Sequence, residues 1–233
     1  MCAAIVTHPR TREASAVTGH EVMIGPLGLT GTLHVPTSAT AIVVFAHGSG
    51  SSRFSPRNMA VARALNAQGI ATLLFDLLTP EEEENRANVF DIPLLAERLI
   101  EVVHWIDRQL ELIRLPLGLF GASTGAAAAL VAAARLGSRV GAVVSRGGRP
   151  DLANAALEDV TAPTLLIVGG FDYEVIELNE WALARLKAPK AIEIVPGATH
   201  LFPEPGTLDV VIELAARWFK RHLSSRVRPR SDS

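Results

Sequence analysis

Cysteine is almost missing from this 233-residue chain: Cys2 stands alone, so no disulfide can close within it. That usage leans toward a reducing compartment. The segment 1–19 lacks the ~7–15-residue apolar core of a secretory signal, and the expected location is cytoplasmic. No apolar run approaches the ~18 residues of a membrane span, the longest being 126–134. Charge of one sign is not in excess either. Lys and Arg number 22 against 24 Asp and Glu, a formal net charge of −2, which gives no electrostatic case for nucleic acid or a membrane surface. Nucleotide motifs are missing: no G-x-x-x-x-G-K-[ST] occurs, and no G-x-G-x-x-G precedes a helix. No His, Cys and Asp cluster has metal-ligand spacing, so neither metal nor cofactor is expected. Internal repeats are absent too.

What is present suits one α/β domain with a substantial core: 48% hydrophobic residues and a mean hydropathy of +0.27. Apolar strand-like runs alternate with helical periods. Two early strands, near 21–24 and 29–35, form an antiparallel edge. Strands at 41–46, 70–75, 115–120, 140–145, 162–168 and 191–195 then alternate with helices at 57–68, 91–110, 124–136, 175–187 and 206–223, plus a short one near 150–157. The expected fold is a mostly parallel twisted sheet with helices on both faces. In helix 91–110, Leu95, Leu99, Val102, Val103, Ile106 and Leu110 recur at three- and four-residue steps as a core face, with Asp91 as N-cap. Trp181 and Trp218 read as packing residues. Glu81–Glu84 reads as a solvated helix start, and 79–89 as a possible border of a site entrance. The domain is assigned to 20–223, between an N-terminal arm at 1–19 and a disordered basic tail at 224–233 carrying Arg226, Arg228 and Arg230.

One pentapeptide carries chemistry. Gly121-Ala122-Ser123-Thr124-Gly125 lies between the strand-like run 115–120 and the Ala-rich run from Ala126 to Leu136. A G-x-S-x-G between strand and helix is the nucleophile elbow of α/β-hydrolases. A serine on so sharp a turn projects its hydroxyl above the sheet, and the crowded backbone beside it tolerates only very small residues. Thr124 opens the helix, so its N–H points at any oxygen gathering charge beside Ser123.

An acid and a histidine follow in the order this elbow requires. Asp172 comes directly after the buried strand pattern 162–168, and His200 directly after strand 191–195. His200 would act as general base and Asp172 would hold its tautomer. Asp151 is the second choice for the acid; Glu174 stands further from the strand end, and Asp76 reads as a loop or cap residue. His8, His20 and His34 fall too early, His104 and His222 inside helices. His47 ends a strand before the serine, where backbone donors belong. Strand 41–46 runs into His47-Gly48-Ser49-Gly50, an H-G-x-G turn that supplies a second oxyanion donor; position assigns it to Ser49, with Gly50 as fallback.

These stretches, with 47–53, 55–58, 73–79, 145–151 and 196–202, make the chain similar, from about His20 to Leu223, to dienelactone-hydrolase-like members of the α/β-hydrolase superfamily. The likeness is greatest to hydrolase domains that also occur fused to phosphoribosyltransferase domains; with 233 residues taken up by one hydrolase domain, that second half is not expected here. Dienelactone hydrolases proper resemble this pattern with cysteine at the elbow. Ser123 in its place favours ester chemistry.

Only 145–161 separates one strand from the next where many hydrolases of this fold insert a cap. That is too short for a multi-helix lid, so the pocket should be open, suited to compact esters and lactones rather than triglycerides. The expected activity is serine-dependent hydrolysis of a small-molecule carboxylic ester or lactone. Acyl transfer, or thioester or peroxide chemistry, is the alternative on the same residues, and a non-catalytic ligand receptor the alternative of another class. Arg53, Arg146 and Arg149 follow strand carboxyl ends, where this architecture places its crevice. They brace loops, or else Arg53 or Arg146 receives a substrate carboxylate, as a resemblance to dienelactone-hydrolase-like enzymes implies.

Overall fold

The computed structural model describes residues 19–224. The expected N-terminal arm and basic tail, and Cys2, lie outside the described residues but for Gly19 and Ser224.

The elements are β1 (His20–Ile24), β2 (Leu29–His34), β3 (Ala41–Ala46), α1 (Pro56–Ala67), β4 (Ile70–Phe75), α2 (Pro80–Glu83), α3 (Arg86–Val89), α4 (Ile92–Ile106), β5 (Leu117–Ala122), α5 (Thr124–Leu136), β6 (Val140–Arg146), β7 (Thr164–Gly169), α6 (Tyr173–Arg185), β8 (Lys190–Val195) and α7 (Thr207–Leu223). Short 3₁₀ turns fill Gly137–Arg139 and Pro150–Asp159. One eight-stranded sheet runs β1-β2-β4-β3-β5-β6-β7-β8. β2 is antiparallel to β1 and to β4, and the other pairs are parallel.

β3, β4, β5 and β7 are buried at every residue, because helices cover both faces and leave no side for a polar alternation. One face packs on α4, α5 and the inner side of α6, the other on α1 and α7. Each fully buried aliphatic side chain, Leu99 and Val103 among them, stabilises by about 1.5–3 kcal/mol. β8 is the half-exposed edge, where Lys190 and Glu193 discourage further strand pairing.

The chain reverses direction across the sheet at β3: β4 lies to one side and β5 to the other. That switch point opens a crevice above the carboxyl ends of β3 and β5. Ala46 pairs with Gly121, so the loop after β3 and the turn after β5 leave the sheet side by side.

The 3.6-residue period overestimated α4. Asp91 caps it as expected, its Oδ1 accepting the Leu94 N–H at 3.0 Å. The helix then stops at Ile106, the next residues close as tight turns, and Leu110 is 92% exposed rather than core. Trp218 does pack against the core and donates to the Pro163 carbonyl at 3.3 Å. Trp181 is partly exposed, with the Arg185 guanidinium 3.6 Å from its ring centre. No cap domain interrupts the fold; β6 and β7 are joined by the 3₁₀ turns alone.

Candidate active site

β5 delivers Ser123 into a backbone conformation that side chains avoid, φ 51° and ψ −123°, at a cost of order 1–3 kcal/mol. Neighbouring backbone holds it there. The Ser123 N–H donates to the Arg146 carbonyl at 3.3 Å, and the Arg149 N–H donates to the Ser123 carbonyl at 3.1 Å. The flanking glycines are steric requirements: a Cβ on Gly121 would lie 2.4 Å from Ala126 Cα, and one on Gly125 2.3 Å from the His47 carbonyl oxygen. α5 starts at the next residue, so its positive dipole end adjoins the serine.

Asp172 stands at the N-cap of α6 without capping it. Its Oδ2 lies 2.6 Å from His200 Nδ1 instead. A carboxylate on Nδ1 fixes the proton there in the neutral ring and leaves Nε2 as a base. Asp172 is largely buried, while His200 keeps about a third of its surface. The His200 loop is tied back by Glu204, which accepts from the Thr199 N–H at 3.1 Å and the Thr199 hydroxyl at 2.6 Å; those bonds lower the Glu204 pKa. It is tied to the Asp172 loop by the Phe171 N–H on the Ala198 carbonyl, 2.9 Å. Gly147, next after β6, packs against the His200 loop: a Cβ there would meet the His200 carbonyl oxygen at 2.8 Å. Among the described residues no hydrogen bond joins the Ser123 hydroxyl to His200. Such contacts tighten when substrate arrives.

The H-G-x-G loop presses on the elbow, a Cβ on Gly48 falling 2.9 Å from Ser123 Cβ. Ser49 and Thr124 are brought together, and in a specific way: the Ser49 N–H donates to Thr124 Oγ1 at 3.0 Å. The expected oxyanion donor is therefore held by the hydroxyl of its expected partner. His47 fixes the loop's root. Its Nδ1 contacts the Gly48 carbonyl at 3.0 Å, and its Nε2 accepts the Leu77 N–H at 3.1 Å. That pattern needs a neutral ring, and burial lowers the His47 pKa. Sequence reasoning passed over this clamp; a histidine at the end of an apolar strand, just before glycine, was the available signal.

The arginines have partners within the protein. The Arg53 guanidinium pairs with Asp76 and Glu21 and contacts Thr30 Oγ1 at 3.0 Å, while its N–H donates to Asp76 Oδ1 at 2.8 Å. Asp76 is thus the brace of the β3 loop. Arg146 is buried, its Nη2 3.3 Å from Asn58 Oδ1 in the first turn of α1. Burial, then the nearby Arg57 charge, pushes its pKa down to about 10. Arg149 forks onto Asp151 at 2.9 and 2.8 Å, which raises its pKa. The second-choice acid is thereby committed to an arginine rather than to His200.

A cleft of about 820 Å³ opens beside the elbow. Gly48, Ser49 and Thr124 border it on the side of Ser123, and Leu77, Leu78 and Leu95 lie in its floor. Its outer wall is the α2–α3 segment, so the stretch expected to border the entrance does so. Thr79 and Glu82 close a reciprocal cap at the start of α2, and Arg98 pairs with Glu82, fastening that wall to α4. Among the described residues, no group of three His, Cys, Asp or Glu side chains could hold a metal ion, and no helix is long and apolar enough to cross a membrane.

Comparison with known proteins agrees with this architecture. A family model described as an alpha/beta hydrolase domain matches residues 39–213. The chain is 55% identical to a dienelactone hydrolase from Anabaena variabilis ATCC 29413, over 88% of this chain and 97% of that one, with a TM-score of 0.85. It is 61% identical over 203 residues to a Mycobacterium tuberculosis (strain H37Rv) protein provisionally named a phosphoribosyl transferase. That match covers 87% of this chain and 46% of the relative, so the chain spans about half the length of the curated relatives it matches. Carboxyl esterase 2 from Tuber melanosporum, 18% identical with a TM-score of 0.67 over 88% of this chain and 87% of that one, shares the fold.

Proposed function

This chain belongs to the dienelactone-hydrolase-like family of α/β-hydrolases, and we propose that it cleaves a carboxylic ester or lactone through an acyl-enzyme on Ser123. Its hydrolase fold is common ground with the dienelactone hydrolase and the esterase described above. The observation that supports the reading is the 2.6 Å contact of Asp172 with His200 Nδ1, in a chain that also holds Ser123 at φ 51° on the turn after β5.

In this account His200 Nε2 takes the Ser123 proton as Oγ attacks the carbonyl carbon. The imidazolium so formed is stabilised by the Asp172 carboxylate. Negative charge gathers on the carbonyl oxygen, beside the Thr124 N–H at the start of α5. Ser49 N–H becomes the second donor when the substrate oxygen replaces Thr124 Oγ1 as its acceptor. The tetrahedral intermediate collapses, the proton passes from His200 to the leaving oxygen, and the alcohol departs. Water then repeats the sequence on the acyl-enzyme: His200 accepts its proton, hydroxide adds to the acyl carbon, and Ser123 Oγ leaves reprotonated. In a lactone the alcohol and acid stay on one molecule. No step calls on a metal or an organic cofactor.

Turnover of p-nitrophenyl esters, lactones and thioesters by wild type and His200→Ala tests the proposal. The reading expects ester or lactone turnover that His200→Ala lowers by at least about 10³-fold. Turnover confined to thioesters, or undiminished in the variant, contradicts it.

A further inference from the structure

Resting on the hydrolase reading, we infer that the cleft selects esters whose group beside the scissile bond is uncharged and apolar or aromatic, and that it discriminates against groups bearing a carboxylate. The arginines that could have received an anion are engaged elsewhere. Arg53 is held by Asp76 and Glu21, Arg149 by Asp151, and Arg146 is buried against Asn58. Arg146 and Arg149 do not line the cleft; Arg53 stands at its border, 4.1 Å from the Phe54 ring centre, in an adjoining cavity where Asp76, Glu81 and Glu83 outnumber it.

The charges that do line it are of the wrong sign for an anion. Glu83 and Glu84 stand at the end of α2, both exposed on the cleft wall, against the single guanidinium of Arg86. Arg86 sits 5.9 Å from the Phe90 ring centre, on the same wall. His47 is held neutral by its two backbone partners and its burial, and supplies no cation. Along the cleft an incoming carboxylate therefore meets two like charges and one opposed, and at its border an Arg53 already matched by Asp76 and Glu21; each unmatched charge is worth about a few-fold in affinity in partly solvated surroundings.

The remaining lining is apolar. Leu77, Leu78 and Leu95 are almost fully buried beneath the cleft, while Phe54, after β3, and Phe90, after α3, keep 57% and 51% of their surfaces exposed along its walls. Exposed aromatic rings on separate elements of one cleft are suited to contact with a flat or extended apolar group. Ser49, Ser51, Ser52 and Ser55 add hydroxyls but no charge.

The test compares kcat/KM for four p-nitrophenyl esters on the intact chain: butyrate, phenylacetate, the succinate monoester with its free carboxylate, and a trimethylammonio-butyrate. The butyrate and phenylacetate should exceed the succinate monoester by about tenfold or more, with the cationic ester well above the anionic one. The gap between neutral and anionic esters should narrow at about 0.5 M salt and in Glu83→Gln/Glu84→Gln. In Phe54→Ala/Phe90→Ala, the phenylacetate should lose several-fold more than the butyrate does. Hydrolysis of the succinate monoester equal to or faster than the butyrate overturns the inference alone. A gap unchanged in the glutamine double variant overturns the role given to these carboxylates. Absence of turnover on all four esters overturns the hydrolase reading, and this inference with it.

Discussion

Arg146 accepts the backbone N–H of Ser123 on its carbonyl oxygen at 3.3 Å, and so contributes to the elbow through its main chain rather than through its charge. Arg149, three residues on, closes the other side by donating its N–H to the Ser123 carbonyl at 3.1 Å. The strained turn is suspended from the loop after β6. In turn, Asn179 anchors that loop by donating to the Gly148 carbonyl at 3.0 Å.

A methyl group at Gly125 should collapse this arrangement. Its Cβ would lie 2.3 Å from the His47 carbonyl oxygen and 2.4 Å from that of Ala46, backbone atoms of a central strand and its loop. Gly125→Ala is expected to destabilise by at least about 2 kcal/mol and to lower kcat by displacing the Ser49 loop. Urea unfolding and kinetics together check this. Wild-type stability with wild-type kcat contradicts it.

Asp172→Asn isolates the tautomer argument. The amide preserves shape but cannot hold a proton on Nδ1 as the carboxylate does at 2.6 Å. The expected outcome is a loss of kcat of about 10⁴-fold with little change in melting temperature. A loss below about tenfold would mean that Asp172 serves only to position its loop.

His47 makes stability depend on pH. Burial holds its folded-state pKa below the ordinary value near 6.5, while the Gly48 carbonyl and the Asp76 and Glu83 charges offset part of that shift. The unfolded chain therefore takes up the proton first. The stability supplied by neutral His47 is complete above about pH 6.5 and is lost as the pH falls through the window below it. Urea midpoints at about pH 7.5, 6 and 5 should decline for the wild type, and less steeply for His47→Gln. Equal slopes would show that His47 does not carry the effect.

Arg53→Ala should act on stability. It removes the partner of Asp76, a pair in which both side chains are mostly buried, and a loss of about 1–3 kcal/mol is expected. The ratio of kcat/KM for anionic and neutral esters should stay as in the wild type. A selective loss on the anionic ester would return Arg53 to a substrate role.

Much of the fold was legible because its strongest signals are local. Strand runs such as 41–46 and 70–75 are apolar throughout, and Asp91 announces the start of α4. The end of α4 was not legible. Leu110 keeps the helical step, but the chain has already turned after Ile106, and nothing in the periodicity marks that turn. The positions of Ser123, Asp172 and His200 after β5, β7 and β8 could be read from order alone. The partners of Arg53 and Arg146 could not: Glu21, Asp76 and Asn58 lie 32, 23 and 88 residues away, and only the closed sheet brings them together. The Ser49 contact with Thr124, 75 residues apart, was hidden for the same reason.

The central claim is that Ser123 is the nucleophile, and covalent capture tests it most directly. A fluorophosphonate reacts only with a serine made nucleophilic by its surroundings, the role proposed for the strained elbow and His200. Intact-mass analysis and peptide mapping should show one phosphonyl adduct, on Ser123, with simultaneous loss of ester turnover. Ser123→Ala should take up no label, remain folded, and retain roughly 10⁻³ to 10⁻⁶ of wild-type kcat. A folded, ester-cleaving wild type that labels elsewhere or not at all, or a Ser123→Ala variant keeping more than about a tenth of wild-type kcat, would contradict the account.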